Sequence, residues 1–250
     1  MTTAHTTRRF FAGAIGVLAL FTAACGDDES TTTEAPATTQ APATTLAPET
    51  TAAPEETVAP ETTEMAVMFE GELIGTFAID AGDCTSGVVG SWFKMANPGG
   101  NATDGPFVPN ADSGCTSDPN HSLLTPGADG GLVTGEAQVA PDPAFDATGN
   151  GLAAGIFLPV KFFNVDFAGA MDADGAAPTV MAADGVLTAD LTAFTAYYGN
   201  GMFSQGGEAT GTIDPMTGEY VLEWSSLISG GSFDGFTGVW HLEGTFTPAG

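Results

Sequence analysis

Chemistry in this chain has to come from a short list of side chains. Beyond residue 64 there are two cysteines, Cys84 and Cys115, two histidines, His121 and His241, and two lysines, Lys94 and Lys161; arginine is missing there and acidic residues number 22. Glu223 and Glu243 sit in segments of alternating polarity that read as neighbouring strands. Two carboxylates about 5–9 Å apart can hydrolyse a glycosidic bond; the plainer alternative is two solvent-facing residues. Asp172-Ala-Asp174-Gly175 has the carboxylate spacing and turn glycine of a calcium loop, with Asp166 and Asp184 flanking it as further oxygen donors. It lacks the third early ligand and the distal glutamate of the helix-loop-helix type, and a simple Asp-Gly turn would look the same. Calcium is the one cofactor the residues raise.

Other catalytic constellations are missing from the sequence. There is no phosphate-binding Gly-x-x-x-x-Gly-Lys-Ser/Thr and no Gly-x-Ser-x-Gly elbow. Gly149-Asn-Gly151-Leu-Ala-Ala154 fits a loose dinucleotide fingerprint but has no βαβ unit around it. With only His121 and His241 left after the leader, a three-histidine zinc site is excluded. Either histidine could serve a serine triad, yet nothing marks a nucleophile. Cys84 and Cys115 have no Cys-x-x-Cys spacing and are expected to pair as a structural disulfide, the usual fate of two cysteines in an exported protein.

The stretch 97–131 has few large apolar residues and carries Asp104, Asn110, Asp112, Asp118, Asn120, His121 and Asp129 around Cys115. Long loops without regular structure are uncommon in compact domains and are often functional. This one is the first candidate for a ligand-binding face; the alternative is a solvated loop pinned by the disulfide.

The elements that must hold these residues read as strands. Glycine is abundant, turn signals are dense and apolar residues alternate, so residues 65–250 are expected to form one all-β domain, an antiparallel sandwich or barrel. The first strand pair is expected at Ala66–Phe69 and Leu73–Ile79, with further strands over Val88–Met95, Leu132–Val139 and Ile156–Phe167, the last broken at Pro159. Ala209–Ile213 and Glu219–Ser225 make a hairpin across Asp214-Pro-Met-Thr-Gly218. Tyr220, Leu222 and Trp224 then face one way, with Val221, Glu223 and Ser225 facing the other. Trp240, Leu242 and Phe246 repeat the pattern against His241, Glu243 and Thr245. Leu187–Tyr198 fits either a helical face or a strand, with its threonines favouring the strand.

Ahead of this domain lie two segments of different character. Residues 1–24 carry Arg8-Arg9 and then the apolar run Phe10–Ala24, which is too short to span a bilayer and reads as an export signal. Residues 25–64 form a Thr/Pro/Glu-rich stalk in which Pro36, Pro42, Pro48, Pro54 and Pro60 recur every six residues. It has nine acidic and no basic residues and no large apolar cluster, so it is expected to be disordered, biased to polyproline II and up to about 100 Å long when stretched.

Thr22-Ala-Ala-Cys25 resembles the bacterial lipoprotein box, with Thr22 where leucine is usual; the resemblance implies that Cys25 becomes the lipid-modified first residue of the mature chain. Thr7-Arg-Arg-Phe-Phe11 resembles a twin-arginine export signal, although Ala12 and Gly13 depart from its later pattern. Three further segments resemble a group of uncharacterised exported bacterial β-rich domains of unknown function: Gly90–Met95, Pro143–Asn150 and Gly230–Phe246. That last resemblance implies no activity.

Charge narrows the partners. Residues 65–250 carry a net charge of −20 with histidine neutral, which excludes nucleic acid and an anionic bilayer surface as ligands. Cations, neutral sugars or a cationic protein remain. The expected protein is therefore an extracytoplasmic, membrane-anchored lipoprotein whose β-domain binds a cell-wall, glycan or protein ligand without catalysis. A hydrolase using Glu223 and Glu243, and a purely structural envelope protein, are the alternatives.

Overall fold

The computed structural model describes residues 68–250. The export signal, Cys25 and the stalk lie outside the described residues. Fifteen strands, numbered in chain order, form two antiparallel sheets among the described residues. The larger runs β1 (Gly71–Glu72), β9 (Thr179–Ala183), β10 (Val186–Asp190), β13 (Glu208–Ile213), β14 (Glu219–Leu227), β15 (Thr237–Pro248), β2 (Gly75–Ile79) and β6 (Gly131–Val133). It also carries β3 (Trp92–Asn101), which pairs with β15, β4 (Gly105–Phe107) and β5 (Ser122–Leu123). This sheet curls into a half-barrel. The smaller sheet is β12 (Gly201–Ser204), β11 (Phe194–Tyr198), β8 (Val165–Met171) and β7 (Val160–Phe162). The all-β expectation holds.

Strand β15 organises the larger sheet. One edge pairs with β14 over its length, from Thr237↔Leu227 to Thr245↔Glu219. Its other edge changes partner: Thr237–His241 pair with β3, and Gly244–Pro248 pair with β2. Gly244 stands where the β2 pairing begins, and a Cβ there would collide with the Ala78 carbonyl. The alternation read from sequence is realised. Tyr220, Leu222 and Trp224 on β14, and Trp240, Leu242 and Phe246 on β15, are buried. Inside, the indole of Trp240 packs against Phe93 at 4.5 Å, Phe194 at 4.9 Å and Trp224 at 5.7 Å between ring centroids. Phe157 and Phe167 complete its surroundings.

Several local expectations change. Ala66–Phe69 forms no strand in its described part, Met68–Phe69; β1 pairs with β9, and the Phe69 N–H donates to the Pro215 carbonyl. The strand expected from Val88 starts at Trp92 and continues to Asn101, and the one expected over Leu132–Val139 ends at Val133. In Ile156–Phe167 strand begins only after Pro159, at Val160, and a second break falls at Phe163–Asn164, where both residues take positive φ (48° and 65°) and turn β7 into β8. Leu187–Tyr198 is strand, as its threonines favour, but as two strands in different sheets, separated by Leu191–Ala193. The hairpin β9–β10 turns on Asp184-Gly185, both at positive φ (52° and 77°), the conformation that a tight Asp-Gly turn favours.

Candidate functional site

The outward faces of β14, β15 and β3 bring the chemically capable side chains together. Register sets Glu223 opposite His241 and His241 opposite Trp92. Glu243 follows on the same face of β15, two residues beyond His241. The His241 ring is held on three sides. Its Nδ1 lies 2.7 Å from Glu223 Oε1, and its Nε2 lies 3.2 Å from Glu243 Oε2. Its plane stacks on the Trp92 indole, 4.8 Å between centroids and within 2° of parallel. Glu243 is fixed further by the Gly90 N–H, which donates to its other carboxylate oxygen at 2.5 Å. His121 meets the same indole edge-on, at 4.7 Å and 88°. On β3, Lys94 Nζ sits 4.9 Å from the Trp92 ring centre and 4.1 Å from that of Phe107. Such cation–π contacts contribute about 0.5–1 kcal/mol each at exposed positions. Burial lowers the Lys94 pKa, against the opposing pull of Asp118 and Glu223.

Beside this cluster an open groove of about 450 Å³ is lined by Trp92, Lys94, Thr103, Glu223, Ser225 and Val239. It offers an ammonium and hydroxyl groups as donors, a carboxylate as acceptor, and apolar surface between them. Glu223, 59 % exposed, keeps oxygen capacity for a ligand.

The same geometry bears on hydrolysis. An imidazole fills the space between Glu223 and Glu243 that a scissile bond and a water would need. Both nitrogens of His241 face carboxylates. Among the described residues, no serine, threonine or cysteine side chain hydrogen-bonds to either histidine.

The 97–131 segment is only partly a ligand face. It is not structureless: β4, β5 and the end of β3 lie in it. Asn110 is fully buried, donating to Ser122 Oγ and the Lys161 carbonyl. Asp112 accepts the Asn164 N–H and caps the β7–β8 turn. Asp129 accepts from Gln138 Nε2 at 2.8 Å. Asp104 lies in the β3–β4 turn near Asn101. Only Asp118 and His121 reach the cluster. Asp118 Oδ2 stands 3.1 Å from His121 Nδ1 but out of line, leaving that buried nitrogen without a hydrogen bond.

Burial accordingly lowers the His121 pKa, opposed by Asp118 and reinforced by Lys94 and His241. A histidine whose folded pKa lies below its unfolded value stabilises the fold at pH above about 6.5, and this contribution is lost as the pH falls. Urea unfolding of the wild type and of His121→Gln at pH 7.5 and 5.5 should show that the wild type loses more stability on acidification. Equal losses would remove His121 as the source.

The calcium residues do not converge. Asp172 and Asp174 share a turn in which the Asp174 N–H donates to Asp172 Oδ1. Asp166 lies 3.5 Å from Lys161 Nζ, and Asp184 belongs to the β9–β10 turn. Among the described residues no group of three or more His, Cys, Asp or Glu is arranged to hold a metal.

Cys84 and Cys115 are brought together, but as free thiols and not as the expected disulfide. The hydrogen bond to Cys115 raises the Cys84 pKa. Burial acts to raise Cys115, but the hydrogen bonds from Cys84 and Ser117 outweigh it and its pKa falls.

Trp92, Lys94 and Phe107 are functional candidates that the sequence reading does not place in a site. The signal was there: in Trp92-Phe93-Lys94-Met95, alternation puts Trp92 on the lysine's face. No protein family, curated protein or solved structure matches this chain.

Proposed function

We propose that this protein is a lipid-anchored, extracytoplasmic binding module. Cys25 holds it to the membrane, residues 26–64 act as a spacer, and the β-domain binds a neutral, hydroxyl-rich ligand of the glycan class without turning it over. The observation that carries this reading is the groove beside Trp92, Lys94, Ser225 and Glu223, in which donors, an acceptor and apolar surface lie side by side. Neutral sugars present this combination of hydroxyls and apolar C–H faces. The net charge of the domain argues for a neutral ligand over an acidic one. The blocked gap between Glu223 and Glu243 argues for binding over hydrolysis.

A screen of envelope polysaccharides and neutral oligosaccharides against the purified domain tests it, with calorimetry on any hit. Glu223→Gln and Lys94→Met, both on the groove wall, are each expected to weaken binding by about tenfold, the loss of one good hydrogen bond to a charged group. Absence of any saccharide binding, or hits indifferent to both substitutions, would refute the reading. Release of reducing sugar by the wild type would refute its non-catalytic part.

A further inference from the structure

Away from the groove, the inner faces of the two sheets leave an apolar cavity of about 40 Å³. Phe93, Met95 and Trp240 wall it from the larger sheet, and Phe162, Phe167 and Phe203 from the smaller. No exposed polar atom lines it. The one amide at its wall, Gln205, is 1 % exposed and is turned to the protein: Nε2 donates to the Ser204 carbonyl at 3.1 Å and Oε1 receives Trp240 Nε1 at 3.4 Å. A void without polar partners stays dry and takes apolar guests.

Phe233 forms part of the cavity wall. It comes from a one-turn 3-10 segment, Gly231–Phe233, in the loop that joins β14 to β15. The loop is tied at its base, where Ile228 N–H donates to the Phe236 carbonyl at 2.8 Å and Gly235 N–H donates to the Ile228 carbonyl at 2.9 Å, and within it by Phe236 N–H to the Phe233 carbonyl at 3.1 Å and Gly230 N–H to Asp234 Oδ1 at 2.6 Å. Gly230, Gly231 and Gly235 take φ of 80°, 65° and 80°, conformations that glycine adopts without a Cβ penalty. The Phe233 ring rests 5.5 Å from Tyr198 and 6.0 Å from Phe162, half-buried. Next to it, Phe163 is 45 % exposed at a φ of 48°, a conformation unfavourable for a bulky residue, and packs edge-on against Phe162 at 4.8 Å.

We propose that this is a second binding site, for a small neutral aromatic molecule, and that Phe233 is a built-in plug which the ligand displaces. Withdrawing Phe233 leaves a space shaped for one six-membered ring, continuous with the existing void. Trp240, Phe93 and Phe162 then offer ring edges and faces to a guest in the geometries that aromatic pairs prefer. Charge selects against acids: the domain is strongly negative, and Lys161, the residue beside Phe162, pairs with Asp166.

Toluene is the probe, with benzoate as its anionic counterpart. Nuclear Overhauser contacts between toluene and the Met95 methyl and Trp240 indole are expected in the wild type. Phe233→Ala should bind toluene at least about tenfold more tightly, because no plug has to be expelled first. Benzoate should bind neither protein. If Phe233→Ala does not fold, the wild-type contacts decide alone. No toluene contact with Met95 or Trp240, or a folded Phe233→Ala variant that binds no better than the wild type, would overturn the proposal.

Discussion

Trp240→Ala is expected to destabilise the domain by about 3–5 kcal/mol, a large part of the total stability of an ordinary domain. The residue is 1 % exposed on the central strand of the larger sheet. It touches aromatic rings from both sheets, Phe93 and Trp224 from the larger and Phe167 and Phe194 from the smaller, and Phe157 from the connection before β7. Truncation therefore removes apolar burial and also opens a hole at the junction of the two layers, which cannot close without moving both sheets. Urea unfolding followed by circular dichroism measures it. A loss below about 1 kcal/mol would show that the two sheets do not depend on this junction. Leu227→Ala is the control, since Leu227 is 65 % exposed and its removal should be nearly neutral.

Oxidation of Cys84 and Cys115 should act in the opposite direction. The two thiols are close enough to shift each other's pKa, so a bond between them is expected to need little rearrangement. Joining them closes a 32-residue loop that contains β3 and β4, and with them Trp92, Lys94 and Phe107. In the chain-entropy model this adds roughly 3–4 kcal/mol. Protein recovered from an oxidising compartment should have a mass two hydrogens lower than the reduced form, and reductant should lower its urea midpoint. Cys84→Ser should match the reduced wild type and show no response to reductant. A wild type that keeps two titratable thiols after air oxidation would show that the pair stays reduced.

The legible parts of this fold are local ones. In Asp214–Gly218 the Asp214 carboxylate accepts the N–H groups of Met216 and Thr217, a turn held by residues within three positions of each other. Alternation along β14 and β15 is equally local, since successive side chains point to opposite faces whatever the partner strand. Where local signals compete, element type is legible and boundaries are not: Leu187–Tyr198 is strand, as its threonines favour. Leu187–Tyr198 carried two strands whose junction no strong breaker marks. Asp184 looked like a cation ligand because Asp-Gly serves both calcium loops and tight hairpins, and here it makes the hairpin.

Composition and pattern alone were enough for an all-β domain with no arginine, strong negative charge and Glu223 and Glu243 on one face. They were not enough for the contents of that face. His121, a residue of the candidate ligand loop, and His241 lie 120 residues apart with nothing in the sequence to join them, yet both meet at Trp92. Cross-strand register does this: β15 lies beside both β14 and β3, so Glu223, His241 and Trp92 form one row. Register is a property of pairing between distant segments, fixed by burying Trp224, Trp240 and Phe93 on the opposite face of the same three strands. A single chain read in order carries each strand's two faces, but which faces become neighbours is settled only when the sheet closes over its core.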